Sequence, residues 1–220
     1  MIRARLLLVL CVIGLCLALG GVAQAQFMTD VTDPSDRVEG TSQNYPGGTE
    51  PDGPEGGEAP RNSINNVVES KYLNFDKENS GFVVTLDTAR AASLSAIILT
   101  TANDSPDRDP ASVTIMGTND DIVFDDTPDE GINWFPIVTD LATPLSDDRF
   151  AEAGPFEFTP ITDGAFASYM VTFPTVKDST ANSMQIGEVQ LSGIAAVPEP
   201  TSLVLLLIGA AGLFVWRRGR

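Results

Sequence analysis

The stretch NDSPDRDP sets the side chains Asp104, Asp107 and Asp109 around Arg108. A guanidinium among carboxylates does one of two things. It is exposed to grip a ligand, or it holds its own loop through charge-assisted hydrogen bonds, and the second use is the default expectation here. A second acidic run, TNDDIVFDDTPDEG, gathers Asp120, Asp121, Asp125, Asp126, Asp129 and Glu130. It lacks the order of oxygen ligands that an EF-hand loop requires, so it reads as a solvated hairpin connection. The chain has no histidine, and its two cysteines, Cys11 and Cys16, lie near the start. Ser-His-Asp and Cys-His catalysis and imidazole zinc sites are therefore excluded by composition. A carboxylate pair of the glycosidase kind is the remaining enzymatic option, and no motif singles one out among so many acids, so no catalytic residue is assigned.

Exposed aromatics would serve sugar binding, because sugar rings stack on aromatic faces. Tyr45 lies in YPGGTEPDGPEGGEAPR (45–61), a Gly/Pro-rich stretch that cannot be regular structure and reads as a surface loop. Tyr45 and Arg108 are thus the weak ligand-binding candidates, with the ligand itself unspecified. Trp134, in the strand-like run before Phe135 and Pro136, is expected to pack in the core.

The elements that must position these residues are short strands. GFVVTLD alternates Phe82, Val84 and Leu86, and SVTIMGT alternates Val113 and Ile115. SYMVTFP alternates Tyr169, Val171 and Phe173, and IGEVQLSG sets Val189 and Leu191 inward against Glu188 and Gln190. SLSAIILTTA supplies a buried run, and Gly, Pro, Asn and Asp clusters separate the strands. The fold expected is all-β: a jelly-roll β-sandwich, flanked by an N-terminal signal helix and a C-terminal transmembrane helix.

The two ends support that frame. At the start, Arg3 and Arg5 precede an apolar run over 6–19 and the small residues Ala23 and Ala25. This is the layout of a secretory signal peptide over 1–25, cleaved by signal peptidase near Gln26. Reading Cys16 as a lipoprotein cysteine is the alternative, disfavoured because a leucine precedes it. With the signal removed, the mature protein has no cysteine and its stability rests on its core. Over 26–197 there are 8 basic against 29 acidic side chains, a net of −21 against −17 for the whole chain. Such a field disfavours nucleic acid and anionic lipid and suits divalent cations or a cationic polymer, although solubility is its plainer use.

At the other end, Val197, Pro198, Glu199 and Pro200 precede the apolar run 201–216 and then Arg217, Arg218 and Arg220. As a helix the run would reach about 24 Å, barely enough for a ~30 Å hydrocarbon core. The arginines would stay cytoplasmic, leaving the rest of the chain outside. The order Pro-Glu-Pro, short helix, arginine cluster resembles the PEP-CTERM sorting signal (195–220 here). That resemblance implies processing by an exosortase, transient membrane anchoring, and release to the cell surface or the extracellular matrix.

Between the ends, three blocks, INNVVESKYLNFDKENSGFVVTL, LTTANDSPDRDPASVTIMGTND and VTFPTVKDSTANSMQIGEVQLSG, together resemble the discoidin, or coagulation-factor C-type, galactose-binding-like domains, over roughly 31–194. This sets the domain at 26–194. The resemblance implies a structural calcium held by Asn65 and Ser70 of an early loop, by backbone carbonyls nearby and by Glu188, with Tyr72 packing beneath the sandwich. Asn65 and Asn66 replace the usual aspartate and glycine of that loop, which lowers its charge. It also implies a non-catalytic module for glycan or exopolysaccharide. The alternative is a structural or adhesive matrix protein that acts through protein contacts or cation bridges.

Overall fold

The computed structural model describes residues 29–42, 57–86, 90–124 and 128–195. The predicted signal peptide with Ala23 and Ala25, Tyr45, and the tail from Val197 to Arg220 lie outside the described residues, as do Asp125 and Asp126.

The strands in chain order are β1 (Thr29–Asp30), β2 (Arg37–Gly40), β3 (Tyr72–Asn74), β4 (Ser80–Thr85), β5 (Ala92–Thr100) and β6 (Pro110–Thr118). They continue as β7 (Phe135–Ala142), β8 (Glu152–Glu157), β9 (Ser168–Val176), β10 (Met184–Ile186) and β11 (Glu188–Ala195). A five-stranded sheet, β2-β4-β9-β6-β7, faces a four-stranded one, β1-β11-β5-β8, and β3 pairs with β10 at one end. All pairings are antiparallel. The protein is an all-β sandwich, as the alternation predicts.

The period-two pattern explains the core. Phe82 and Val84, Val113 and Ile115, and Tyr169, Val171 and Phe173 point from one sheet onto Ile97, Leu99, Val189 and Leu191 of the other, and all are fully buried. Tyr72 is also fully buried, and its hydroxyl donates to the Gly81 carbonyl at 2.9 Å. Gly81 is the residue that lets β4 and β9 close: a Cβ there would stand 1.9 Å from the Val171 carbonyl oxygen.

Two expectations shift. Trp134 is not a core residue; it is half-buried just before β7, with its indole N–H donating to the Asp129 carbonyl at 3.2 Å. Glu188, read as facing solvent, is only 3% exposed. It does face away from the core, but the loop over 65–70 covers it.

The sandwich has two distinct ends. Strand β5 runs antiparallel to β11 from Ala92↔Ala195 to Thr100↔Glu188. One end therefore carries the chain's exit at Ala195, together with the connections after β6 and β8. The other, the loop end, carries 101–109, 143–151 and 177–183, about 30 Å away along nine residues of strand.

Candidate functional site

At the loop end the organising group is Asp109, fully buried where the 101–109 connection enters β6. Arg149 grips it with both terminal nitrogens, Nη1 to Oδ1 at 3.0 Å and Nη2 to Oδ2 at 2.7 Å. This is the bidentate geometry that suits a guanidinium and a carboxylate. Lys177 adds a contact at 3.3 Å and bridges to Asp147 at 3.0 Å. The bond to Asp109 holds Arg149 firmly protonated, above its ordinary value, against the opposing effect of burial. Three loops distant in sequence are thereby tied to one carboxylate.

A second cation stands beside the first. Lys71, 7% exposed, pairs with Glu58 at 3.0 Å and Asp104 at 2.9 Å, and donates to the Gln185 side-chain oxygen at 3.2 Å. Burial works to raise the pKa of Asp104, but the bonded Lys71 ammonium and the nearby Arg108 hold it below the ordinary carboxylate value. Arg149 also donates to the Asp104 carbonyl at 3.0 Å, so the two clusters are continuous. The 101–109 loop is thus held by cation–carboxylate bonds, but the cations are Arg149, Lys177 and Lys71. Arg108 itself is half-exposed and acts on Asp104 through its charge.

These clamps present Phe150. Its ring is 46% exposed, and its backbone is left-handed, at φ +56°. A phenylalanine avoids that region, so the surroundings must impose it, at a cost of about 1–3 kcal/mol. They do so on both sides. Arg149 is locked to Asp109, and the Ala151 N–H donates to the Thr101 hydroxyl at 2.9 Å while the Thr101 N–H donates to the Ala151 carbonyl at 3.0 Å. Asn103, Asp107 and Asp148, in the same two loops, are exposed. Nothing in the sequence marked Phe150, because its signal is a backbone angle set by partners some 50 residues away.

The residues expected to hold calcium meet at one loop. The Asn65 side-chain oxygen accepts from the Val67 N–H at 2.9 Å and the Ser70 hydroxyl at 3.1 Å, and Ser70 Oγ also lies 2.8 Å from the Val67 carbonyl. Asn66, left-handed at φ +59°, turns its N–H toward Glu188, with the Val67 N–H beside it. Burial pushes the Glu188 carboxyl up to about 7; these donors oppose the shift and the charge of Asp30 adds to it. One Glu188 oxygen, Oε2, is buried without a hydrogen-bond partner, which alone would welcome a cation. The rest of the set does not fit one. The Asn65 oxygen already accepts two bonds within the loop, the Ser70 hydroxyl is turned to donate to Asn65 and the Val67 carbonyl, Val67 offers no side-chain ligand, and backbone N–H groups point at the carboxylate. Calcium takes six to eight oxygens, and among the described residues no three acidic, histidine or cysteine side chains gather as a metal group.

A polar groove of about 380 Å³ lies on the outer face of the five-stranded sheet, bordered by Thr41, Glu78, Asp129 and Thr172 among others.

Residues 196–220 match the family model of the PEP-CTERM protein-sorting motif, so the chain carries that motif at its C-terminus. No curated protein matches the chain. Among solved structures, it is similar to the family 32 carbohydrate-binding module of Clostridium perfringens NanJ in complex with galactose. That likeness has 12% identity and a TM-score of 0.49, over 76% of this chain and 99% of that one. It is also similar to a third family 32 module from a C. perfringens family 31 glycoside hydrolase, at 16% identity and TM-score 0.48 over 78% and 97%. An F5/8 type C domain of Bacteroides fragilis gives 11% and 0.49 over 76% and 97%.

Proposed function

We propose that the chain is an exported, non-catalytic glycan-binding module whose tail is a sorting address. The observation that carries this reading is Phe150: an exposed ring held in a costly backbone conformation, at the end of the sandwich farthest from the tail. Strain of that kind persists where a site uses it. The Phe150 face would stack on a sugar ring, while Asn103, Asp107 and Asp148 exchange hydrogen bonds with its hydroxyls. Asp104 and Asp109 are committed to cations, which suits holding a ligand rather than moving protons. The PEP-CTERM motif supports export across the cytoplasmic membrane, recognition by an exosortase, and a surface or matrix destination, where exopolysaccharide is the available ligand.

The test is a glycan array on the purified protein, followed by titration of the hits. Phe150→Ala should weaken binding at least tenfold without lowering stability. Thr172→Tyr, which fills the groove on the sheet face, should leave binding unchanged; loss there and not at Phe150 moves the site to the groove. A folded protein that binds no glycan, but self-associates when calcium is added, would return the molecule to the structural or adhesive reading.

A further inference from the structure

The connection between the sandwich and its tail is very short. Strand β11 ends at Ala195, and the apolar run begins at Thr201, leaving five residues, 196–200, of which two are proline. Fully extended, five residues reach about 17 Å. As the spanning helix expected from the sequence, the sixteen residues 201–216 would reach about 24 Å, roughly 6 Å short of a ~30 Å core. With the arginines at the cytoplasmic interface, the outer end of such a helix would lie some 6 Å inside the hydrocarbon. The headgroup layer adds another 5–8 Å. Of the reach of 196–200, only about 5 Å remains, and helix tilt would shorten it further.

Among the described residues, exposed large apolar side chains stand at both ends of the sandwich, and four of them, Val123, Phe135, Ile161 and Ile194, belong to the end that carries Ala195. Ile161 is 60% exposed in the connection after β8, and Val123 is 67% exposed in the one after β6. Phe135, 41% exposed, stacks on Phe166 with ring centroids 6.0 Å apart, and Phe166 bridges to Ala92 beside β11. The Ile161 N–H donates to the Ile137 carbonyl at 2.8 Å, which places it against β7 next to Phe135. Ile194, 36% exposed, immediately precedes the exit. The connections after β6 and β8 also carry exposed Asp120, Asp121 and Asp163.

We propose that this end is a membrane-facing surface, resting on zwitterionic headgroups while the chain is anchored. Its carboxylates meet the outermost ammonium groups of such lipids, and its apolar side chains enter the interface. Anionic lipid would be repelled by the same carboxylates. The tether supplies the effective concentration that makes so small a contact persist. The Phe150 end then points outward, about 30 Å from the lipid. The proposal rests on the reading that 201–216 spans the bilayer.

The experiment uses the mature chain from Gln26 to Arg220 in lipid nanodiscs; it has no cysteine of its own, so a new cysteine takes a polarity-sensitive fluorophore alone. Ile161→Cys and, separately, Phe150→Cys carry the label in discs of phosphatidylcholine. The expected result is blue-shifted emission at 161, quenched by brominated acyl chains, and water-like emission at 150. Adding phosphatidylglycerol should weaken the signal at 161. Co-elution with discs, but water-like emission at both positions, overturns the proposal and leaves the anchor intact. Failure to co-elute removes the anchor and overturns the proposal with it. A stronger signal at 161 in anionic discs overturns the assignment to zwitterionic lipid.

Discussion

The two ends of the sandwich solve opposite problems with different chemistry. The loop end must hold long connections in one shape. It does so with charges taken out of water: Asp109 with Arg149 and Lys177, and Lys71 with Glu58 and Asp104. The tail end is held by apolar packing of Phe166 against Tyr169 and Phe135, and by the Tyr169 hydroxyl, which donates to the Ala92 carbonyl. Burial pushes that phenol far above its ordinary value, so it stays a donor at any working pH. Among the described residues its ion pair is Arg90 with Asp36, at 2.7 Å. Directional bonds fix a shape that binding needs, whereas packing suffices where only a surface is needed.

The sharpest way to break the comparison is Asp109→Ala. It strands two partly buried cations and should cost about 3 kcal/mol in urea denaturation, since removing one member of a buried pair is far worse than never having it. A loss under about 1 kcal/mol would show that the loop end is not held by its charges.

Next comes pH. The Glu188 carboxyl has a folded value near 7 against 4.5 unfolded, so the folded state holds its proton more tightly. Its contribution is most favourable below pH 4.5 and is lost progressively as pH rises to about 7. Glu188→Gln should remove this slope, gaining on the order of 1–2 kcal/mol relative to wild type between pH 4.5 and 8. The melting temperature followed over that range measures it, and calcium should leave it unmoved.

At the tail end, Tyr169→Phe deletes one buried hydroxyl and leaves the Ala92 carbonyl with the Phe166 N–H as its remaining donor. The expected loss is about 1–2 kcal/mol, checked by the same denaturation. The smallest change is Phe150→Gly, which relieves the left-handed strain and should raise stability by about 0.5–1 kcal/mol while abolishing glycan binding. Stability falling instead would mean that the ring packs rather than presents.

What the sequence disclosed follows from the range of the interactions. Strands show as local alternation, so β4, β6, β9 and β11 were visible in Phe82, Val113, Tyr169 and Leu191. Edge strand β8 was not, and β7 showed only as the strand-like run at its start, because Pro136 and Pro155 break the alternation and half of their residues face water. The acidic run over 118–131 does join β6 to β7, as a hairpin connection should. The clamp was half visible: NDSPDRDP announced a loop held by charge, but Asp109 and Arg149 are 40 residues apart and no local pattern couples them. Asn65, Ser70 and Glu188 do come together, yet only the directions of the N–H groups and hydroxyls reveal how their oxygens are used.

Strand β11 is hydrogen-bonded on both sides, along its full length to β5 and at its exit to β1. Any pull on the tail therefore runs along a central strand, and its bonds to β5 must be sheared together rather than peeled one at a time. Forced unfolding is governed by the rate at which such a barrier is crossed. If the proposed site at the Phe150 end captures a polymer while the tail is anchored, tension between them would pass through this centrally bonded strand.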